Sequence, residues 1–223
     1  LRGEALHQGS DTDAQRTAWV SYVSAAAATS TASAQIQAYA SACRALGDGA
    51  KADGIVAARV AQGGLTSAEI RNLAVALDGG QSQARTDALA QLALAAETKV
   101  FADSATVKST GLGDLGVIVN RLAPAASVET RKAWASKVVA AYADGAVLPS
   151  LDANAFSALS SVLRSLDLRA QKDFYVQLVN GSDGWRSWSP GSVITLFGGA
   201  SAEAGEVAAT ARAKLMSHFE TAF

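Results

Sequence analysis

Large apolar residues recur along this chain at helical spacing, separated by small or polar positions. Phe156, Leu159, Leu163 and Leu166 stand 3, 4 and 3 residues apart, one stripe of a 3.6-residue helix. Ile70, Leu73 and Leu77 form a second stripe. Thr66 and Glu69 ahead of it read as a capping box, the hydroxyl accepting from a free N–H and the carboxylate reaching back. Ile36, Tyr39, Cys43 and Leu46 form a third, and Leu115, Val119 and Leu122 a fourth. A short segment, Val193 to Phe197, precedes a last helix carrying Val207, Ala211, Leu215 and Phe219. No period-two alternation persists beyond about five residues. The chain is therefore expected to be all-α.

Between these stripes lies a second set of helices, each opening on a cation followed by a large apolar anchor. Arg16 precedes Trp19, Lys51 precedes Ile55, Arg85 precedes Leu89, Arg131 precedes Trp134, and Lys172 precedes Tyr175. The anchors are spaced by 36, 34, 45 and 41 residues. Paired with the stripes, they define a helical hairpin of 34 to 45 residues, present about five times. One hairpin cannot bury its apolar face alone, but stacked neighbours can. In period and organisation the chain resembles an α-solenoid of the HEAT or tetratricopeptide class. That resemblance implies one domain, 1–223, of stacked antiparallel hairpins. Tetratricopeptide signatures are absent, since Val-Ser-Tyr follows Trp19 and Ala-Ser-Lys follows Trp134. An irregular helical bundle is the alternative.

Composition sharpens this picture. Alanine, the best helix former, supplies 50 of the 223 residues. The prolines, Pro124, Pro149 and Pro190, fall at expected loops. Glycines cluster at Gly47 and Gly49, Gly63-Gly64, Gly79-Gly80, Gly111 and Gly113, and Gly198-Gly199, where they punctuate helices. Alanine buries little area but lets helices approach closely, so thin, tight layers are expected. A net charge of -1 argues against nucleic-acid binding by bulk electrostatics and against a polybasic membrane anchor. The apolar stretch from Val23 to Tyr39 owes its character to alanine and is not expected to insert into a membrane. The chain begins at Leu1 without methionine and reads as a processed or excised piece, Leu1 to Leu6 being the end of an earlier helix. Nothing in it specifies a compartment.

Candidate chemistry is sparse. His7 and His218 lie near opposite ends, and Cys43 sits on an apolar helical face as a structural thiol. Gly111, Gly113 and Gly116 match a dinucleotide fingerprint only literally, because no strand precedes them. No phosphate loop, nucleophile elbow or metal-ligand spacing occurs, so no catalytic residue, cofactor or metal is expected. The least helical and most aromatic stretch runs from Asn180 to Pro190. Within it Asp183, Trp185, Arg186 and Trp188, with Tyr175 nearby, are the candidate ligand or partner contacts, since tryptophan and arginine dominate binding hot spots. Packing between the last hairpins is the competing reading of the two indoles. The recurring cations are read as a ladder of solvated surface pairs, or as contacts for an anionic ligand in a groove. The expected function is a non-catalytic interaction or scaffold module binding a protein or peptide. The alternative is a carbohydrate-active or sugar-binding helical domain using the Trp185/Trp188 loop.

Overall fold

A computed structural model describes residues 12–77, 82–143, 145 and 147–222. The proposed helix end at Leu1–Leu6, His7 and the Gly79-Gly80 pair lie outside them. The described residues are all-α, with twelve α-helices, three short 3-10 turns and no strand. The helices are α1 (Asp13–Ala28), α2 (Ser33–Ala45), α3 (Gly49–Ala61), α4 (Ser67–Ala76), α5 (Gln83–Lys99), α6 (Ser104–Thr110), α7 (Leu112–Leu122), α8 (Val128–Tyr142), α9 (Ala153–Leu166), α10 (Leu168–Gly181), α11 (Pro190–Ser201) and α12 (Glu206–Ala222). Every stripe and anchor read from the sequence falls in one of these helices or at its cap. The extra helix α6 lengthens the interval between Leu89 and Trp134 to 45 residues.

Local chemistry starts and stops these helices. Asp48, Ser82, Ser127, Asp152 and Ser189 each accept an N–H of the following first turn. Thr66 and Glu69 form the expected capping box, and Thr12 with Gln15 forms a second. Gly111, at φ 77°, closes α6 in the left-handed region, while Gly113 and Gly116 are turns of α7. The dinucleotide-like spacing is thus a helix stop followed by a helix.

Backbone contacts divide the chain into two compact units, Leu1–Val100 with Arg121–Ala126 and Phe101–Asn120 with Ser127–Phe223. In the first, α2 packs on α1, α3 and α4, and α3 packs on α1, α4 and α5. In the second, α8 packs on α6, α9 and α10, while α10 packs on α9, α11 and α12. In the first unit each helix thus meets its neighbour and its next neighbour, a pattern compatible with a helical repeat.

Ile55, Leu89, Trp134 and Tyr175 are buried as anchors. Trp134 stacks on Phe101 with ring centroids 4.4 Å apart. Trp19 corrects the expected register: it is half-buried, edge-on to exposed Tyr22, while Val20, Val23 and Ala27 turn inward. The same one-residue shift recurs. Ala40 rather than Tyr39 faces the interior of α2, and Ala208 rather than Val207 faces that of α12, where Val207 is 66% exposed. In a close helical seam the small residue occupies the contact line and the large one flanks it.

The closest seam is in the second unit. An ideal Cβ on Gly199 of α11 would lie 1.8 Å from the ring of Tyr175 in α10. That ring cannot swing aside freely, because its hydroxyl is hydrogen-bonded with Ser160 and accepts from the Gln171 side-chain amide.

Two stability measurements check this packing. Trp134→Ala is expected to lower unfolding free energy by about 3–5 kcal/mol in denaturant titration, as for other buried aromatics, and Trp19→Ala by far less. Equal losses would mean that Trp19 is an anchor after all. Gly199→Ala, although it raises helix propensity, is expected to destabilise by about 1–3 kcal/mol through overpacking on Tyr175. A stabilised variant would place the two helices further apart than described.

Candidate functional site

The Asn180–Pro190 loop leaves α10 at Gly181 and is pinned by short-range hydrogen bonds. Gly184 N–H donates to Ser182 Oγ at 3.0 Å, and the Trp185 indole N–H donates to the Ser182 carbonyl at 2.7 Å. A 3-10 turn, Gly184–Ser187, then carries the chain to the N-cap Ser189. Trp185 is fully buried, edge-on to His218 of α12 with ring centroids 5.3 Å apart. The Arg186 guanidinium sits 4.9 Å from the centre of the Trp185 ring, and its Nε donates to Asp183 at 2.9 Å. That contact holds the Asp183 carboxyl below its ordinary value. Trp188 is half-buried on Phe156 of α9, which in turn meets Tyr175.

The five sequence-derived contacts therefore divide. Trp185 and Tyr175 are core side chains, whereas Arg186, Asp183 and one side of Trp188 reach the surface. The exposed set is one half-open indole and, earlier in the same loop, a paired Arg–Asp dipole.

The recurring cations are not used alike. Arg85 Nε donates to the Leu77 carbonyl at the end of α4, at 2.7 Å. Lys172 faces the buried carboxylate of Glu203 at 3.8 Å, beside Arg169 at 3.0 Å. Lys51 is exposed and rims a concave site that the large residues did not reveal.

That site is a half-open groove of about 670 Å³ in the first unit. One wall is the C-terminal half of α1, with Ser24, Ala27 and Ala28. The other is α3, with Lys51, Gly54, Ile55, Ala58 and Gln62 on successive turns, and Ile36 of α2 lies in its floor. Asp48 and Lys51 edge one end, Ser30 and Gln62 the other. Residues 51 to 62 span about 17 Å at 1.5 Å per residue. Small side chains on both walls make the space. Gly54 has nothing within 4 Å of where its Cβ would be, so no packing demand within the chain requires glycine there. A helix-interior glycine, helix-destabilising among many alanines, was the signal available in the sequence.

Arg59 braces the Ser30 end. Its guanidinium is 8% exposed as a residue and donates to Thr31 O at 3.3 Å, Gly63 O at 3.0 Å and Glu69 Oε1 at 2.8 Å. One side chain thereby ties α3 to the start of α2 and the first turn of α4. Cys43 is buried in α2, and burial pushes its thiol above the ordinary value despite a hydrogen bond with Ser24. It is therefore a poor nucleophile. Among the described residues no group of three or more His, Cys, Asp and Glu could hold a metal ion, and no helix is long and apolar enough to cross a membrane.

Compared with family models, curated proteins and solved structures, the chain matches none.

The brace at Arg59 gives the groove an acid limit. The Thr66 N–H, with Arg59, holds the Glu69 carboxyl below its ordinary value of 4.5. A lowered carboxylate contributes stability that is complete above the ordinary value and is lost as pH falls through the native one. Glu69→Gln should therefore lower stability at neutral pH and flatten the acid limb below about pH 4.5 in pH-dependent denaturant titrations. An unchanged acid limb would show that Arg59 does not depend on this carboxylate.

Proposed function

We propose that this chain is a helical-repeat interaction module, solenoid-like in organisation, that binds a protein or peptide segment in the groove between α1 and α3. The groove itself carries the reading. It joins an apolar floor to polar ends, and its length accommodates about three turns of helix or a shorter extended segment. Binding by such a surface needs no catalytic group, since repeat arrays recognise partners through concave faces. The open space at Gly54 supports it further, because a glycine without a Cβ lets a partner backbone approach. In the first unit the packing of each helix on its neighbour and next neighbour supports the repeat organisation.

A second reading rests on a different observation. The half-open indole of Trp188, in the loop that also carries the Arg186–Asp183 pair, offers a stacking surface for a sugar ring. On that reading the Trp188→Ala variant keeps its fold and loses glycan binding, while groove variants bind glycans normally.

The groove is tested by selecting peptides from a random display library on the wild-type chain and counter-screening on Gly54→Trp. A Cβ at that position meets nothing within 4 Å, so the indole it carries is directed at the groove that Gly54 lines. Enriched peptides should bind wild type at least tenfold more tightly than Gly54→Trp. Failure to enrich any peptide, or peptides indifferent to Gly54→Trp, would overturn the groove as the binding surface.

A further inference from the structure

The groove between α1 and α3 has a built-in direction, and its chemistry says what kind of segment lies in it. Residues 29–32 join α1 to α2, and residues 46–48 join α2 to α3, connections short enough to make each pair antiparallel. The two walls therefore run the same way, with α2 running against them in the floor. Arg59, near the end of α3, donates to Thr31 O just past the end of α1, so the C-terminal ends of both walls lie together. Along α3 the lining residues Ala50, Gly54 and Ala58 stand four apart, a row with no side chain larger than a methyl. Ser24 and Ala28 form a shorter row of small residues on α1. Such rows are the furrows into which a neighbouring helix sets its ridge. The chain does this internally, where Gly199 of α11 receives the ring of Tyr175 from α10. Gly54 receives nothing among the described residues, since no atom lies within 4 Å of its Cβ position.

Resting on the groove as the binding surface, we infer that its occupant is an amphipathic α-helix of a partner protein. It lies antiparallel to α1 and α3, with a large apolar side chain over Gly54 and its C-terminal end at Lys51. Backbone chemistry selects the helix. The walls are helices whose N–H and C=O groups are already paired, so an extended segment would bury its own backbone groups with nothing to receive them. A helix arrives with those groups satisfied. Size agrees, because a three-turn helix about 10 Å across displaces roughly 1,300 Å³. That is about twice the 670 Å³ of the groove, so the helix sits half-embedded, apolar stripe inward and polar side in water. Charge sets the direction. The Asp48 carboxylate already accepts the Lys51 N–H as the N-cap of α3, and all three guanidinium nitrogens of Arg59 are bonded. The exposed Lys51 ammonium has neither a hydrogen bond nor an ion pair among the described residues. Arg85, which like Lys51 stands four residues before its anchor, donates to the carbonyl at the end of a neighbouring helix. An incoming helix offers Lys51 the same partner at its C-terminus, where its dipole also favours a cation. Its N-terminal end then meets the C-terminal ends of both walls, the second favourable pairing.

Two peptide display libraries test this on the whole chain. Both randomise apolar positions, one in a three-turn helical frame and one in a frame held extended by alternate prolines. Each is sorted on the wild-type chain and counter-screened on Gly54→Trp. Peptides sensitive to Gly54→Trp are expected from the helical frame alone. Lys51→Glu, a residue suited to the first turn of α3, should weaken those peptides about three- to tenfold, the scale of reversing one charge at a helix end. The circular dichroism spectrum of that variant should be unchanged. A spin label on the peptide C-terminus should broaden the amide resonances of Ala50 and Lys51, and one on its N-terminus those of Ser30 and Gln62. Sensitive peptides from the extended frame would overturn the helix and leave the groove reading standing. Peptides indifferent to Lys51→Glu, or the reverse pattern of broadening, would overturn the direction. If neither frame yields a peptide sensitive to Gly54→Trp, the groove reading fails and this inference fails with it.

Discussion

Two helices whose facing positions are alanine can approach until their backbones limit the distance, and this close seam constrains much else here. Each alanine contributes little buried area, so the seam cannot stabilise the fold as a leucine seam would. Stability falls to the few large side chains placed beside it, such as Trp134 on Phe101 and Tyr175 against Gly199. These are rigid rings in sites with little slack, so each unit tolerates volume changes poorly at a handful of positions. Elsewhere the alanine-rich faces leave room.

Thin layers also leave helix ends near one another, and those ends carry unpaired carbonyls. Basic side chains of neighbouring elements satisfy several of them. Arg44 donates to the last carbonyl of α4 and, at 2.6 Å, to Asp53, which also accepts from Ser82 at 2.7 Å. Arg85 reaches the carbonyl of Leu77, and Lys214 reaches that of Asn180 at 3.1 Å. A cation at a helix C-terminus is favoured by the helix dipole as well as by the hydrogen bond. Of the recurring cations of the sequence Arg85 is placed in this way, whereas Lys172 faces Glu203 and Lys51 is exposed.

Element type and order were legible because apolar spacing, caps and glycine stops agree along most of the chain. Helix register was less so. Reading inward positions from the largest residues selected Trp19, Tyr39 and Val207, whereas Val20, Ala40 and Ala208 turn inward. The error has one direction and one cause: in an alanine seam, size no longer marks the buried line. Helix α6 escaped notice because seven residues, Ser104–Thr110, carry only one buried position, Val107. The site was legible in part. The sequence drew attention to the Trp185–Trp188 loop through its large side chains, and Trp185 proved to be core. The groove is made by what is missing from its walls, and missing side chains leave a faint trace in a chain already rich in alanine.

Glycine is where that trace is clearest in three dimensions. Gly198 and Gly199 are adjacent in one helix and pay the same backbone entropy. Gly199 has a reason inside the molecule, since Tyr175 occupies the space of a methyl group. Gly198 has none, nor does Gly54, because nothing stands within 4 Å of either Cβ position. Alanine at those two positions would strengthen each helix without a clash. Gly54 and Gly198 both have open space above them among the described residues, one in each unit. The groove at Gly54 has polar ends that can orient a segment of another protein.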